Sequence, residues 1–154
     1  MLAGTRKLDA GQRTTASRTL ISELPTAHCL HVVLERARHL DAESSGAGFE
    51  GFYCVTQVRA GSETSRLVSD GDSPKWGQIF QFSIADIEAD LVTVELHKRV
   101  SGAKDAVVGH VAVPASRIKG TGSEEGWYEI RARDGRLIMG SQGKASMLVR
   151  FRFL

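Results

Sequence analysis

From Leu30 onward, apolar and polar side chains alternate with a period of two. Leu30, Val32 and Leu34 would face one side of an extended segment, and His31, Val33 and Glu35 the other. Similar short runs recur at Phe52–Arg59, Thr64–Ser69, Trp76–Ile84, Val92–His97, Val107–Val113, Trp127–Arg131 and Met147–Phe153. They are rich in β-branched and aromatic residues, and clusters of glycine, proline or aspartate separate them. Eight strands at this spacing predict an all-β, antiparallel sandwich.

The alternation is cleanest in two runs. Val92, Val94 and Leu96 oppose Thr93, Glu95 and His97, while Met147, Val149, Phe151 and Phe153 oppose Leu148, Arg150 and Arg152. A face that carries two arginines is solvated or paired, so each of these strands should have one wet side. Only Ala85–Asp90 and Pro114–Lys119 suggest short helical turns. No repeat at solenoid spacing is present.

A chain of 154 residues, 42% apolar and 25% charged, suits one soluble domain with a tail. Residues 1–24 lack periodicity and carry Arg6, Lys7, Arg13 and Arg18 against Asp9 and Glu23. They read as a basic, flexible N-terminal segment, either a solvated linker or a tail that brushes an anionic membrane. The folded domain is expected over residues 25–154. Its charge is near neutral, and the whole chain's +2 argues against nucleic acid as a partner. Met1–Lys7 has no apolar stretch that would mark export, and no run approaches the roughly 18–20 residues that span a bilayer. Cys29 and Cys54 stand alone in apolar segments and read as two buried thiols in a reducing compartment.

The order of motifs then carries a resemblance. Leu30–Leu40, with alternating aliphatics before Ala37-Arg38-His39-Leu40, is similar to the opening strand of the C2 domain family. Glu50-Gly51-Phe52-Tyr53-Cys54-Val55 resembles that family's Asp-Pro-Tyr-Val-x-Val, and Asp72–Phe82 resembles its Asn-Pro-x-Trp-Asn-Glu-x-Phe-x-Phe. Val108-Gly109 through Pro114, followed by Ile118, resembles Ile-Gly-x-x-x-Ile-Pro-Leu-x-x-Leu, and Trp127-Tyr128-Glu129-Ile130 matches Trp-Tyr-x-Leu. The match runs over about residues 28–154. It implies two four-stranded sheets, with Trp76, Phe80 and Phe82 in the core, Pro74 opening a turn, and Gly109 admitting a close backbone.

The resemblance also implies a calcium site at one end, built from aspartates of the first and third loops. Here those positions fall on Ser44, Glu50, Lys98, Val100 and Ala106. Calcium wants about six to eight oxygen ligands, largely carboxylates, and only Glu50 supplies one. Shifting the alignment by one residue recruits Glu43 and Asp105 beside Glu50, still next to Lys98, Arg99 and Lys104. A fixed cation opposes a divalent ion at that distance. The expectation is no calcium and no other cofactor.

Lys98, Arg99 and Lys104 could instead touch anionic headgroups directly, at roughly 1 kcal/mol each, with Val100 inserting between them. The lysine-rich groove that some relatives carry on their middle strands is reduced here to Arg59 and Arg66, opposed by Glu63.

Catalysis finds no foothold. His28, His31, His39, His97 and His110 show no zinc spacing, and no Gly-x-Ser-x-Gly elbow occurs. Gly46-Ala47-Gly48 and Gly140–Gly143 lack the partners of a phosphate cradle, and Asp70 and Asp72 read as turn residues. The expected function is a non-catalytic, calcium-independent docking module. It would anchor a larger multidomain protein to a protein partner or an anionic phospholipid membrane. The expected setting is cytoplasmic, peripheral to a membrane or to the cytoskeleton. The alternative is a calcium-dependent phospholipid-binding domain with an atypical ligand set.

Overall fold

The computed structural model describes residues 28–140 and 142–154, without the side chains of residues 43–45. The basic segment 1–24 and the expected domain start at residue 25 lie outside the described residues. In chain order the elements are β1 (His28–Arg38), β2 (Phe49–Val58), β3 (Gly61–Thr64), β4 (Lys75–Ile84), β5 (Leu91–Val100), β6 (Ala106–Pro114), α1 (Ala115–Thr121), β7 (Ser123–Glu129), β8 (Met139–Gly140), β9 (Gly143–Lys144) and β10 (Ser146–Phe153), with a 3-10 turn at Glu43–Gly48.

Eight of these strands make two four-stranded antiparallel sheets, in the orders β4-β1-β10-β7 and β3-β2-β5-β6, while β8 and β9 pair in a small ribbon. This is the eight-stranded sandwich that the alternation predicts. The strand connectivity, which the sequence left open, places the last strand beside the first.

Alternation decides the core. Leu30, Val32 and Leu34 of β1 are fully buried, as are Val92, Val94 and Leu96 of β5 and Met147 and Val149 of β10. Phe80 and Phe82 join them, and fully buried Trp76 ties the two sheets together through its Nε1, which donates to the Phe52 carbonyl at 3.3 Å. A bulge between Leu34 and Arg36 resets the phase of β1, so that Ala37 and not Arg36 turns inward. Gly109 allows a close approach. A Cβ there would stand 2.7 Å from the Arg131 carbonyl oxygen and 2.7 Å from Ile130 Cγ2, where residues 130–131 pair with β6.

Some expectations are corrected. The strand expected at Thr64–Ser69 lies earlier, at Gly61–Thr64, because the turn after Val58 takes only two residues. Beyond it, the Ser65 amide still donates to the Cys54 carbonyl and Val68 exchanges a pair of backbone hydrogen bonds with Phe52, while Arg66 and Leu67 between them are exposed. The strand expected at Trp127–Arg131 begins at Ser123 and ends at Glu129. Ala85–Asp90 is a single turn, with the Asp86 carboxylate accepting from the Glu88 and Ala89 amides, whereas the second expected helical turn becomes α1. Of the two cysteines only Cys54 is buried; Cys29 is half-buried on the outer face of β1.

Candidate functional site

The strand registers bring four connections to one end of the sandwich. Arg36 lies opposite Lys75, Arg38 opposite Ser146, Ser146 opposite Glu129 and Phe49 opposite Val100. The segments 39–48, 65–74, 101–105 and 130–145 therefore share that end. Backbone bonds lace them: the Leu40 amide donates to the Asp72 carbonyl, the Ala37 amide to the Pro74 carbonyl and the Ser101 amide to the Gly48 carbonyl. The Asp72 carboxylate accepts from the Ala42 amide at 2.9 Å, so this aspartate fastens the first loop to the second.

Among the residues predicted for this end, Lys98 and Ala106 face each other across β5 and β6. Lys98 Nζ donates to the Asp41 carbonyl at 2.7 Å, which sets an ammonium between the first and third loops. Val100 is half-buried. Its Cγ1 lies only 3.2 Å from where a Cβ on Gly48 would stand, so the side chain rests on the first loop. Lys104 is exposed at the tip of the third loop. Glu50 is exposed where β2 bulges between Phe49 and Gly51. The side chains of Glu43 and Ser44 lie outside the described residues.

Asp105 is already engaged. Arg99 grips it with Nη2 at 3.1 Å and Nε at 3.3 Å, and the Tyr53 hydroxyl donates to it at 2.6 Å. The hydrogen bonds from Arg99, and next that from Tyr53, hold the Asp105 carboxyl below the ordinary carboxylate range. The bond to Asp105 in turn raises the Tyr53 hydroxyl above its usual value.

Sequence reasoning missed the ladder beneath this pair. The Arg99 guanidinium lies 5.3 Å from the Tyr53 ring centre, Tyr53 stacks on His97 at 4.9 Å, and His97 Nε2 meets Glu95 at 2.8 Å. Period-two spacing of Glu95, His97 and Arg99 was the available signal; the partner Tyr53 comes from another strand. Among the described residues, no three His, Cys, Asp or Glu side chains converge where they could hold a metal. No described helix is long and apolar enough to cross a membrane.

The geometry is that of a cup of loops on an antiparallel sandwich, and the comparisons agree with it. A family model described as "C2 domain" matches residues 28–130. The chain belongs to the C2 domain family. This C2 domain is 28% identical over 110 residues to Synaptotagmin-4 of Arabidopsis thaliana, covering 70% of this chain and 19% of that relative.

Its fold is similar to solved C2 domains. A structure of the paired C2 domains of Extended-Synaptotagmin 2 matches with a TM-score of 0.70 at 16% identity, covering 97% of this chain and 48% of that one. A single C2 domain of plant Extended Synaptotagmin 1 matches with a TM-score of 0.66 at 13% identity, covering 83% and 95% respectively. Human GIVD cytosolic phospholipase A2 matches with a TM-score of 0.65 at 17% identity, over 84% of this chain and 16% of that one.

Proposed function

We propose that this C2 domain is a non-catalytic docking module whose loop end meets an anionic phospholipid surface without calcium. The observation that carries the reading is the cation already seated between the loops. Lys98 donates to the Asp41 carbonyl, and Arg99 together with Tyr53 occupies Asp105, the third-loop carboxylate that a calcium ion would need. Kinship supports a membrane setting, since C2 domains typically bind phospholipid membranes, and a structure of Extended-Synaptotagmin 2 is calcium bound. In this reading the present chain keeps the scaffold and replaces the divalent bridge with its own ammonium and guanidinium groups. The module anchors a larger protein at the cytoplasmic face of a membrane.

Two cations at this end, Lys104 and Arg133, are exposed and have no ion pair among the described residues. They are free to approach headgroups, at roughly 1 kcal/mol each at low salt. Sedimentation with phosphatidylserine vesicles tests the proposal. The chain should pellet at low salt equally with calcium or with chelator, release as salt rises, and bind several-fold more weakly as the Lys104→Glu, Arg133→Glu variant. Binding that needs calcium, or no binding at low salt, contradicts it.

A further inference from the structure

We propose that the edge of β4 accepts an extended, acidic peptide strand from a protein partner, its carboxylates seated by Arg66 and Lys75 in the adjoining cleft. The first observation is the edge itself. In its sheet β4 is bonded on one side only, to β1, and beyond the bulge at Trp76–Gly77 the stretch Gln78 through Ile84 contains no charge, no proline and no further register shift. Sheet edges are normally blunted along their length by short strands, charge, proline, bulges or cover. The other outer strands obey this rule. β3 has four residues, β6 is bridged at its middle by His110 with Arg131 and ends in Pro114, and β7 carries Glu124, Glu125 and Glu129. On β4, Ile79 is 65% exposed and lies across from Val33, which leaves an apolar spot on the sheet's outer face.

The second observation is independent of the first. Where β4 begins, Lys75 stands directly opposite Arg36. The Arg36 guanidinium lies 5.4 Å from the ring centre of Trp127, on β7 at the far side of the sheet, while Lys75 has no ion pair among the described residues. Arg66 joins them in a cleft of about 550 Å³ that also includes Glu35, Trp76, Gly77 and Leu148.

The guanidinium of Arg66 donates to the Trp76 carbonyl, and its backbone amide donates to Gln78 Oε1 at 2.8 Å, so this arginine is held in place. The cleft's one carboxylate, Glu35, is occupied by Arg150 at 2.7 Å. Two cations, Arg66 and Lys75, kept together without a counter-ion among the described residues fit a partner that brings negative charge.

The two features lie on one strand. Lys75 and Ile79 are four residues apart on β4 but three apart in their β1 partners Arg36 and Val33, so roughly 10 Å separates them along the sheet. An antiparallel partner strand would run toward the loop end, lay an apolar side chain by Ile79 and deliver carboxylates to the cleft at its C-terminal end. The interface differs from the loop tips used in the membrane reading, and it does not depend on that reading.

The probe is a fluorescein-labelled peptide of alternating valine and threonine that ends in three glutamates, added to the full chain and followed by fluorescence polarisation. Saturable binding is expected. A peptide ending in three lysines should bind at least about tenfold more weakly. The Arg66→Glu, Lys75→Glu chain should lose affinity for the glutamate peptide to a similar degree while melting at the native temperature. Methylating alternate backbone nitrogens should abolish binding when the blocked set faces β4 and spare it when the other set is blocked.

Failure of the glutamate peptide to bind overturns the proposal, as does equal binding of the lysine peptide. Equal behaviour of the two methylated isomers removes the edge. A chain that proves dimeric, and becomes monomeric as Gln81→Lys, assigns the edge to a second copy. Capture of phosphatidylserine vesicles through Arg66 and Lys75, with no peptide binding, assigns the cleft to a membrane.

Discussion

Two glycines in strands, Gly109 in β6 and Gly126 in β7, offer a matched test of the packing, because neither has a positive φ and their surroundings are opposite. A Cβ on Gly109 would stand 2.7 Å from the Arg131 carbonyl oxygen, 2.7 Å from Ile130 Cγ2 and 3.2 Å from the Arg131 carbonyl carbon. Backbone blocks two of the three directions, so rotating a side chain cannot relieve the clash. The segment around Arg131 must move away from β6. That weakens the His110–Arg131 bridge, whose two hydrogen bonds measure 2.8 and 3.0 Å.

Overpacking of this kind costs about 1–3 kcal/mol, and each of the two weakened bonds adds about 1 kcal/mol, so Gly109→Ala should lose roughly 3–5 kcal/mol. Gly126 has nothing within 4 Å of the same position, so Gly126→Ala should gain about 0.5–1 kcal/mol by restricting the unfolded chain. Urea unfolding followed by fluorescence gives both midpoints. Equal shifts in the two variants would refute the claim that the 130–131 segment is pinned to β6 at Gly109.

Further expectations follow from the loop end and the thiols. Asp105 has a depressed carboxyl pKa in the folded chain, so its contribution to stability is present above the unfolded value and is lost as pH falls through the folded one. Arg99→Met or Tyr53→Phe should raise that pKa toward the ordinary carboxylate value in a carboxyl-detected NMR titration; an unchanged midpoint would show that the observed contacts do not govern it. Burial pushes the Cys54 thiol well above its usual range, so Cys29 should react first with iodoacetamide by mass spectrometry, and faster labelling of Cys54 would contradict its burial. An ion bound to the Asp41 carbonyl would sit within roughly 5 Å of Lys98 Nζ, a repulsion of about 2 kcal/mol even in water-like surroundings. Lys98→Asp should therefore gain at least about tenfold in calcium affinity by calorimetry.

The fold was legible because its evidence is local. Val92 to His97 and Met147 to Phe153 show their buried and wet faces as strict alternation, and the structure buries the expected side in each. Alternation fails where the backbone changes phase. The bulge after Leu34 turns Ala37 inward, and the short turn after Val58 moves β3 ahead of its expected place. No residue type announces either change.

The loop end was half legible. That its carboxylates are sparse could be counted along the chain. That Lys98 bonds a backbone carbonyl of the first loop could not, because every residue offers that acceptor. The Arg99–Asp105–Tyr53 cluster joins two strands and a loop, and the cleft of Arg36, Arg66 and Lys75 joins two strands and another loop. Each is an arrangement set by register between distant segments, which one sequence does not display.

The most direct measurement is the melting temperature of the native chain as calcium is raised to about 1 mM, the weak end of the range for oxygen-ligated sites. Binding to the folded state alone must raise the melting point, so a loop end closed to calcium predicts the same curve in calcium and in chelator. A saturable upward shift, lost on replacing Glu50 or Asp105, would contradict it.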